Sequence, residues 1–147
     1  MVVMKLTLNE LVLKVRRYTR DTTGSLFEDA DVIDFCNEGI HRIRKIKELD
    51  GMKTLATTND SVIILPEKYQ YLISLYGASR CFTQDEQNTM AQLFMNEFET
   101  KLDELEKAIK SGELILKDEN GNDIVSTDVS DYVVNVYFKN VFGGEGE

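Results

Sequence analysis

The chain has 147 residues, the length of one domain, and can bury a core without disulfides or a bound metal. Hydrophobic residues make up 42% of it and charged residues 29%, which argues against a disordered chain. The net charge of −9 argues against a protein that binds nucleic acid by general attraction to phosphates. No apolar run approaches the ~18 residues of a membrane span, so we expect no membrane contact.

The first helix is predicted to begin after Thr7. Thr7 and Glu10 have the spacing of a capping box, in which each side chain bonds the backbone N–H of the other residue. Turn-forming residues 21–25 are expected to end the helix. Apolar residues recur on one helical face at Leu8, Leu11, Val12, Val15 and Tyr18.

A second helix is predicted to begin near Glu28 or Asp29, because acidic residues suit the positive end of a helix dipole. Asp50 and Gly51 are expected to stop it. Its apolar stripe consists of Val32, Ile33, Cys36, Ile40, Ile43 and Ile46.

Residues 52–65 are predicted to form a short hairpin, with the turn at Asn59 and Asp60 and a β-branched strand from residue 62 onward. Pro66 fits the first turn of a third helix, where its missing N–H costs nothing. Small residues 77–79 would allow this helix to pack closely. Its lining residues are predicted to be Tyr69, Leu72, Ile73, Tyr76, Cys81 and Phe82.

The fourth helix is predicted from a second capping box at residues 83–86 and a heptad seam that follows it. We expect the first two helices to supply the surface against which this seam packs. Ser111 and Gly112 are expected to end the helix. The seam consists of Ala91, Met95, Phe98, Leu102, Leu105 and Ile109.

The tail from residue 113 differs in character, since it has eight acidic and two basic residues. Asn120-Gly121 between β-prone runs predicts a hairpin, and residues 132–138 alternate as a strand does. We expect residues 113–142 to form an interaction arm and residues 143–147 to be disordered. The alternative that the arm folds back on its own helices stays open. The docking residues of the arm are predicted to be Leu114, Leu116, Ile124, Val125, Tyr132, Val134, Val136 and Phe138.

The predicted fold is therefore mainly α: a small bundle of about four helices in residues 1–112, with a short hairpin near 52–65 and a β-prone C-terminal arm. The predicted core residues are Leu11, Val15, Ile33, Cys36, Ile40, Leu72, Phe98, Leu102 and Leu105.

No constellation in the sequence predicts catalysis. His41 has no orienting partner at a recognisable spacing, so we expect it to be exposed or to cap a helix. Cys36 and Cys81 are expected to be small core residues. Residues 118–122 resemble the start of a calcium loop, but Asp123 and Val129 stand where glycine and glutamate are required. We expect no enzyme activity, cofactor or metal.

Two basic clusters have a role that the sequence leaves open. A solvated helix face with ion pairs to nearby carboxylates is favoured over contact with nucleic acid, since Glu38 and Glu48 can pair with these groups. The clusters consist of Arg16, Arg17 and Arg20, and of Arg42, Arg44, Lys45 and Lys47.

Several blocks together resemble the head–tail adaptor (connector) proteins of tailed bacteriophages over residues 5–110. They are the first helix from Leu8 to Tyr18, the turn 21–29 and the helix segment 31–40, which has the pattern acid, apolar pair, aromatic, Asn-Glu-small. Leu65-Pro66-Glu67-Lys68-Tyr69 followed by Leu72-Ile73, the acid-rich opening of the last helix, and Phe98-Glu99 also match. Phe27 departs from the tryptophan that many such sequences have, and the tail after Gly112 matches no pattern.

The resemblance implies a structural role in the virion, at the head–tail interface, after assembly in the host cytoplasm. Family members form a ring, often of twelve copies, beneath the portal protein. The ring extends the DNA channel without sequence-specific contact and receives a tail-completion or stopper protein. The C-terminal segment commonly reaches onto the portal. An acidic channel would let DNA slide by like-charge repulsion.

Two other classes of function stay open from the residues alone. A small helix-turn-helix DNA-binding regulator would use the first two helices and the basic clusters, although the net charge argues against it. An enzyme with an unrecognised site is the other class, and the absence of common catalytic motifs argues against it.

Overall fold

The computed structural model describes residues 3–46, 49, 55 and 62–114. These residues form a mainly helical bundle, which confirms the predicted fold class. The described part contains two strands and four helices, with a 3₁₀ turn at Glu67–Tyr69. They are β1 (Val3–Thr7), α1 (Leu8–Thr19), α2 (Asp29–Ile43), β2 (Val62–Pro66), α3 (Leu72–Gln84) and α4 (Asn88–Lys110).

Helix α1 begins as predicted, because Thr7 and Glu10 form the capping box. The Glu10 N–H donates to Thr7 Oγ1 at 3.2 Å, and the Thr7 N–H donates to Glu10 Oε1 at 2.9 Å. Together these bonds satisfy two backbone donors that a helix start leaves free. The helix ends where Arg20 takes a left-handed conformation, with a φ of 62°. Four residues of the predicted stripe are buried together with Arg16, and Tyr18 is partly buried against the core.

The two strands pair antiparallel, with Val3 opposite Pro66 and Thr7 opposite Val62. The second strand of the predicted hairpin is therefore present as β2, but its described partner is the N-terminal strand β1. The sequence did not predict β1, because a pairing across about sixty residues leaves no local turn signal. Apart from Leu55, the first half of the predicted hairpin lies outside the described residues.

Helix α2 begins at Asp29 as predicted but ends at Ile43, which makes the predicted stop at Asp50 and Gly51 wrong. Beyond Ile43, backbone hydrogen bonds join residues three apart, as in a 3₁₀ helix. The Ile46 N–H donates to the Ile43 carbonyl, and the Leu49 N–H donates to the Ile46 carbonyl. This tighter turn brings Ile46 and Leu49 into the core.

The prediction that Pro66 lies in the first turn of the third helix is wrong. Pro66 ends β2 and precedes the 3₁₀ turn, and α3 begins six residues later at Leu72. The fixed φ of proline suits both an edge strand and the start of such a turn. The predicted lining of α3 is confirmed, since all six of its members are buried.

Helix α4 has the predicted seam, with Ala91, Phe98 and Leu105 buried and the other three seam residues partly buried against the core. The predicted cap is wrong. Residues 83 and 84 belong to α3, where Thr83 Oγ1 donates to the Ser79 carbonyl, and α4 begins only at Asn88. The chain reverses through Glu86, which has a φ of 60°.

The predicted partner of α4 is also wrong in part, because α4 packs chiefly against α3. Helices α1 and α2 make fewer contacts with it. The ring of Phe94 lies 5.2 Å from that of Tyr18, and Arg42 bonds Glu99 at 2.5 Å. A short connection makes consecutive helices antiparallel neighbours, so the α3–α4 turn decides the pairing.

The predicted core is confirmed for seven of its nine residues, and Ile33 and Leu102 are partly buried at its margin. Within the part of the chain that the structure describes, no helix is both long and apolar enough to cross a membrane.

Candidate interaction surface

The corner between α1 and α2 is built around the buried guanidinium of Arg16. Its Nη1 donates to Asp21 Oδ2 at 2.9 Å and to the Phe27 carbonyl at 3.0 Å, and its Nη2 donates to Asp29 Oδ1. One side chain of α1 therefore fixes the turn and the first residue of α2. Gly24 packs against this guanidinium. A Cβ at this position would lie 3.3 Å from Arg16 Cζ.

Asp21 accepts bonds from the same turn. The N–H groups of Leu26 and Phe27 donate to its carboxylate at 3.1 and 2.9 Å. Burial raises the pKa of Asp21, but these backbone bonds and the Arg16 charge outweigh it, so its pKa lies below the usual value. The carboxylate is therefore ionised at neutral pH and holds the corner together.

Three consecutive residues of α2 connect it to the rest of the bundle, one through Leu55 and two through α3. The Asn37 side chain accepts from the Leu55 N–H at 2.7 Å and donates to the Leu55 carbonyl at 3.2 Å. Glu38 Oε1 lies 2.9 Å from Arg80 Nε in an ion pair with α3. A Cβ on Gly39 would lie 3.0 Å from Tyr76 Cβ, so only glycine lets α2 approach α3 this closely.

The predicted close packing around residues 77–79 is confirmed at Gly77. A Cβ there would lie 3.0 Å from Val15 Cγ2 and 3.1 Å from Cys36 Sγ. Helices α1, α2 and α3 thus converge at this glycine. Its neighbour Ser79 donates to the Ala91 carbonyl at 2.7 Å and joins α4 to the same centre.

The two cysteines, which could in principle act as nucleophiles, lie in environments typical of core residues. Cys36 and Cys81 are buried as predicted, and burial raises the pKa of each thiol to about 12. At neutral pH both thiols are protonated and weakly nucleophilic. His41 is exposed on α2, as predicted. No group of three or more His, Cys, Asp or Glu side chains in the described residues could hold a metal ion.

The two basic clusters do not form two basic faces. Arg16 is buried, whereas Arg17 and Arg20 are exposed. Arg42 pairs with Glu99, and Lys47 lies outside the described residues. Arg16 and Arg42 pair with carboxylates as predicted, but not with those suggested by the sequence. Glu38 pairs with Arg80 instead, and Glu48 lies outside the described residues.

A groove of about 210 Å³ runs between α1 and the turn that precedes α3. We call it the α1 groove. Two of its apolar side chains are exposed, Leu13 at 47% and Tyr71 at 41%. Its walls include Leu6, Glu10, Leu13, Lys14, Arg17 and Tyr71.

The basic side of the α1 groove is ordered by aromatic contacts. Lys14 Nζ lies 4.2 Å from the centre of the Tyr71 ring and 5.0 Å from that of Tyr18. Such contacts hold an ammonium group over ring faces and leave its charge on the surface. With Arg17 beside it, the groove offers exposed apolar area edged by two positive charges and by the single carboxylate of Glu10.

A second apolar surface lies at the start of α4, where Met90 and Leu93 are 37% and 58% exposed. A shallow hollow there is lined by Leu93 and the polar residues Asn88, Thr89 and Gln92. Among the described side chains it has no charged group at its wall, so it lacks the electrostatic character of the α1 groove.

Of the eight predicted docking residues, the structure describes only Leu114. Leu114 is buried in the core, and its N–H donates to the Ala108 carbonyl at 3.1 Å. The first residues of the predicted arm thus close the end of α4. The other seven docking residues, from Leu116 to Phe138, lie outside the described residues.

Two features of this surface were not predicted. The burial of Arg16 has a partial signal in the sequence, because an aspartate before Thr-Thr-Gly-Ser is typical of a turn whose carboxylate bonds the following N–H groups. The α1 groove has a signal in Leu13, an apolar residue that falls outside the buried stripe of its helix.

In comparisons with known proteins, no family model, no curated protein and no solved structure matches this chain.

Proposed function

We propose that this protein is a head–tail adaptor of a tailed bacteriophage. In this role, copies of the chain form a ring, of twelve subunits by the family resemblance, beneath the portal protein. The ring extends the DNA channel and receives a tail-completion or stopper protein. The protein would act in the virion at the head–tail interface and would be made in the host cytoplasm.

The observation that carries the proposal is the position of the residues on which the resemblance rests. Residues 21–29 form the corner held by Arg16, and the Asn37-Glu38-Gly39 triplet ties α2 to Leu55 and α3. Leu65 to Tyr69 form the end of β2 and the turn into α3. These residues connect the helices and strands of the bundle. The pattern shared with the family therefore lies in residues that build the fold, which supports a structural role.

The chemistry of the described side chains favours a structural role over catalysis. A nucleophile or general base needs an accessible group with an orienting partner. Cys36 and Cys81 are buried with raised pKa values, and His41 is exposed on a helix without a hydrogen bond to a described carboxylate. The proposal therefore assigns the chain no reaction and no cofactor.

The charge of the chain fits a channel through which DNA passes. Each copy carries −9, so a ring of copies is strongly acidic. Like-charge repulsion keeps phosphates from binding tightly to such a wall. A helix-turn-helix regulator instead needs a basic surface that attracts phosphates. Two arginines of the basic clusters are engaged in ion pairs with Asp21, Asp29 and Glu99.

The arm from residue 113 onward is proposed to dock on the portal or on a neighbouring subunit by adding strands. Alternating residues 132–138 present one apolar face, and a lone strand is marginally stable in water. Strand addition to a partner would bury that face and pair its backbone groups.

Truncation after Leu114 tests the arm, because it keeps the one arm residue that is known to belong to the core. We expect the truncated protein to retain its helical circular dichroism and to lose co-sedimentation with portal rings. The full chain and a variant truncated after Phe142 serve as controls, and both should bind. Portal binding by the protein truncated after Leu114 would contradict the docking role of the arm.

A further inference from the structure

The α1 groove has the features of a docking site for an extended apolar segment with acidic residues beside it. Leu13 and Tyr71 both line it and are exposed, and Lys14 and Arg17 add positive charge to its lining. Apolar side chains grouped in a groove with a charged rim are more typical of an interaction site than of ordinary surface.

We propose that the occupant is the chain's own segment 132–138, which lies outside the described residues. Tyr132, Val134, Val136 and Phe138 would lie on one face of a strand, and this apolar face can pack against Leu13 and Tyr71. Asp131 precedes it directly and Asp128 lies three residues earlier, and these carboxylates complement Lys14 and Arg17. The two surfaces thus match in both apolar pattern and charge.

The tail begins after Leu114, at the end of the bundle where the α1 groove lies. Helices α3 and α4 are joined by a tight turn and run antiparallel, so the later part of α4 passes the start of α3. Lys101 accordingly lines a hollow that shares Gln70 and Tyr71 with the α1 groove. The chain leaves the described residues beyond this point, after Leu114.

The connecting length is sufficient for docking within one molecule. The residues between Leu114 and Tyr132 span up to about 55 Å when extended, whereas α4 itself is about 35 Å long. Linkage through a connection of this length gives an effective concentration on the order of 1 mM. At ordinary protein concentrations the chain's own segment is therefore favoured over the same segment of a second copy.

Docking in the free chain does not depend on the proposed function. Its consequence does: if the protein is an adaptor, the docked segment covers the arm's apolar face until a partner displaces it. The groove then keeps free subunits from associating prematurely through that face.

Disulfide trapping in the full-length chain tests the proposal. Leu13→Cys is paired with a cysteine placed at 132, 133, 134, 135, 136, 137 or 138 in turn, and each protein is oxidised with oxidised glutathione. Native Cys36 and Cys81 are buried and do not compete. We expect a monomeric cross-linked product whose yield alternates along the segment with period two. The best position should react about tenfold faster than the matched control, Leu93→Cys with the same partner.

The other outcomes overturn the proposal. Equal rates for the Leu13 and Leu93 anchors mean that the segment has no preference for the groove, and a covalent dimer means that the occupant is a second copy. Arg17→Cys, at an exposed site, repeats the series with a second anchor in case Leu13→Cys perturbs folding. In addition, Arg17→Glu should slow trapping from Leu13→Cys, and adding Asp131→Arg should restore it. A lack of either effect would refute the assigned charge contact.

Discussion

Arg16 shows how much one side chain can fix in this fold. Its guanidinium reaches Asp21, the Phe27 carbonyl and Asp29, so three bonds from α1 determine where α2 begins. Arginine suits this position because its planar group donates in several directions at once and stays charged when buried. Lysine would supply the charge without this geometry.

Arg16→Ala should lower the free energy of unfolding by about 3 kcal/mol, because it leaves the buried Asp21 carboxylate without its counter-ion. Urea unfolding followed by circular dichroism measures the change. Arg17→Ala, one residue away and exposed, is the control and should change stability by less than ~0.5 kcal/mol. Equal losses in the two variants would show that the Arg16 contacts contribute nothing specific.

Asp21 gives the corner a pH dependence of defined sign. Its pKa is lower in the folded chain than the value of about 3.9 expected when unfolded. The stabilisation is therefore complete above about pH 5 and is lost as the pH falls through the folded pKa. Unfolding midpoints measured between pH 7 and pH 3 should fall less steeply for Asp21→Asn than for the original chain. Asp34→Asn, at an exposed site, should keep the original slope.

At the scale of helices and strands, the sequence predicts the features that are set by residues close together in the chain. The capping box of α1 and the seam of α4 are set by residues within one helix, and both were predicted. The pairing of β1 with β2 and the packing of α4 on α3 depend on distant residues, and neither was predicted. The α1 groove was missed for the same reason, since its walls come from β1, α1 and the turn before α3.

Gly77→Ala tests the convergence of three helices. Alanine has the better helix propensity by about 1 kcal/mol, but its Cβ would lie 3.0 Å from Val15 Cγ2. Because Val15 is β-branched and stiff, we expect a net loss of about 1–3 kcal/mol in the free energy of unfolding. In the Val15→Ala background, which removes the contacting methyl group, the same change should cost less. An equal cost in both backgrounds would contradict the proposed contact.

For the whole molecule, charge and shape divide between a bundle and a tail. Residues from 113 onward carry −6 of the net charge of −9, and the bundle ends where Leu114 enters the core. The bundle offers one groove with a positive rim, and the tail offers acidic residues beside an apolar strand pattern. This division fits the proposal that the chain docks on its partners through the tail.

Electron microscopy of the full-length protein mixed with the portal protein tests the proposed adaptor role most directly. Class averages should show a ring of copies beneath the portal, coaxial with it and open at the centre for DNA. The result that would contradict the account is a portal with no added ring at saturating protein.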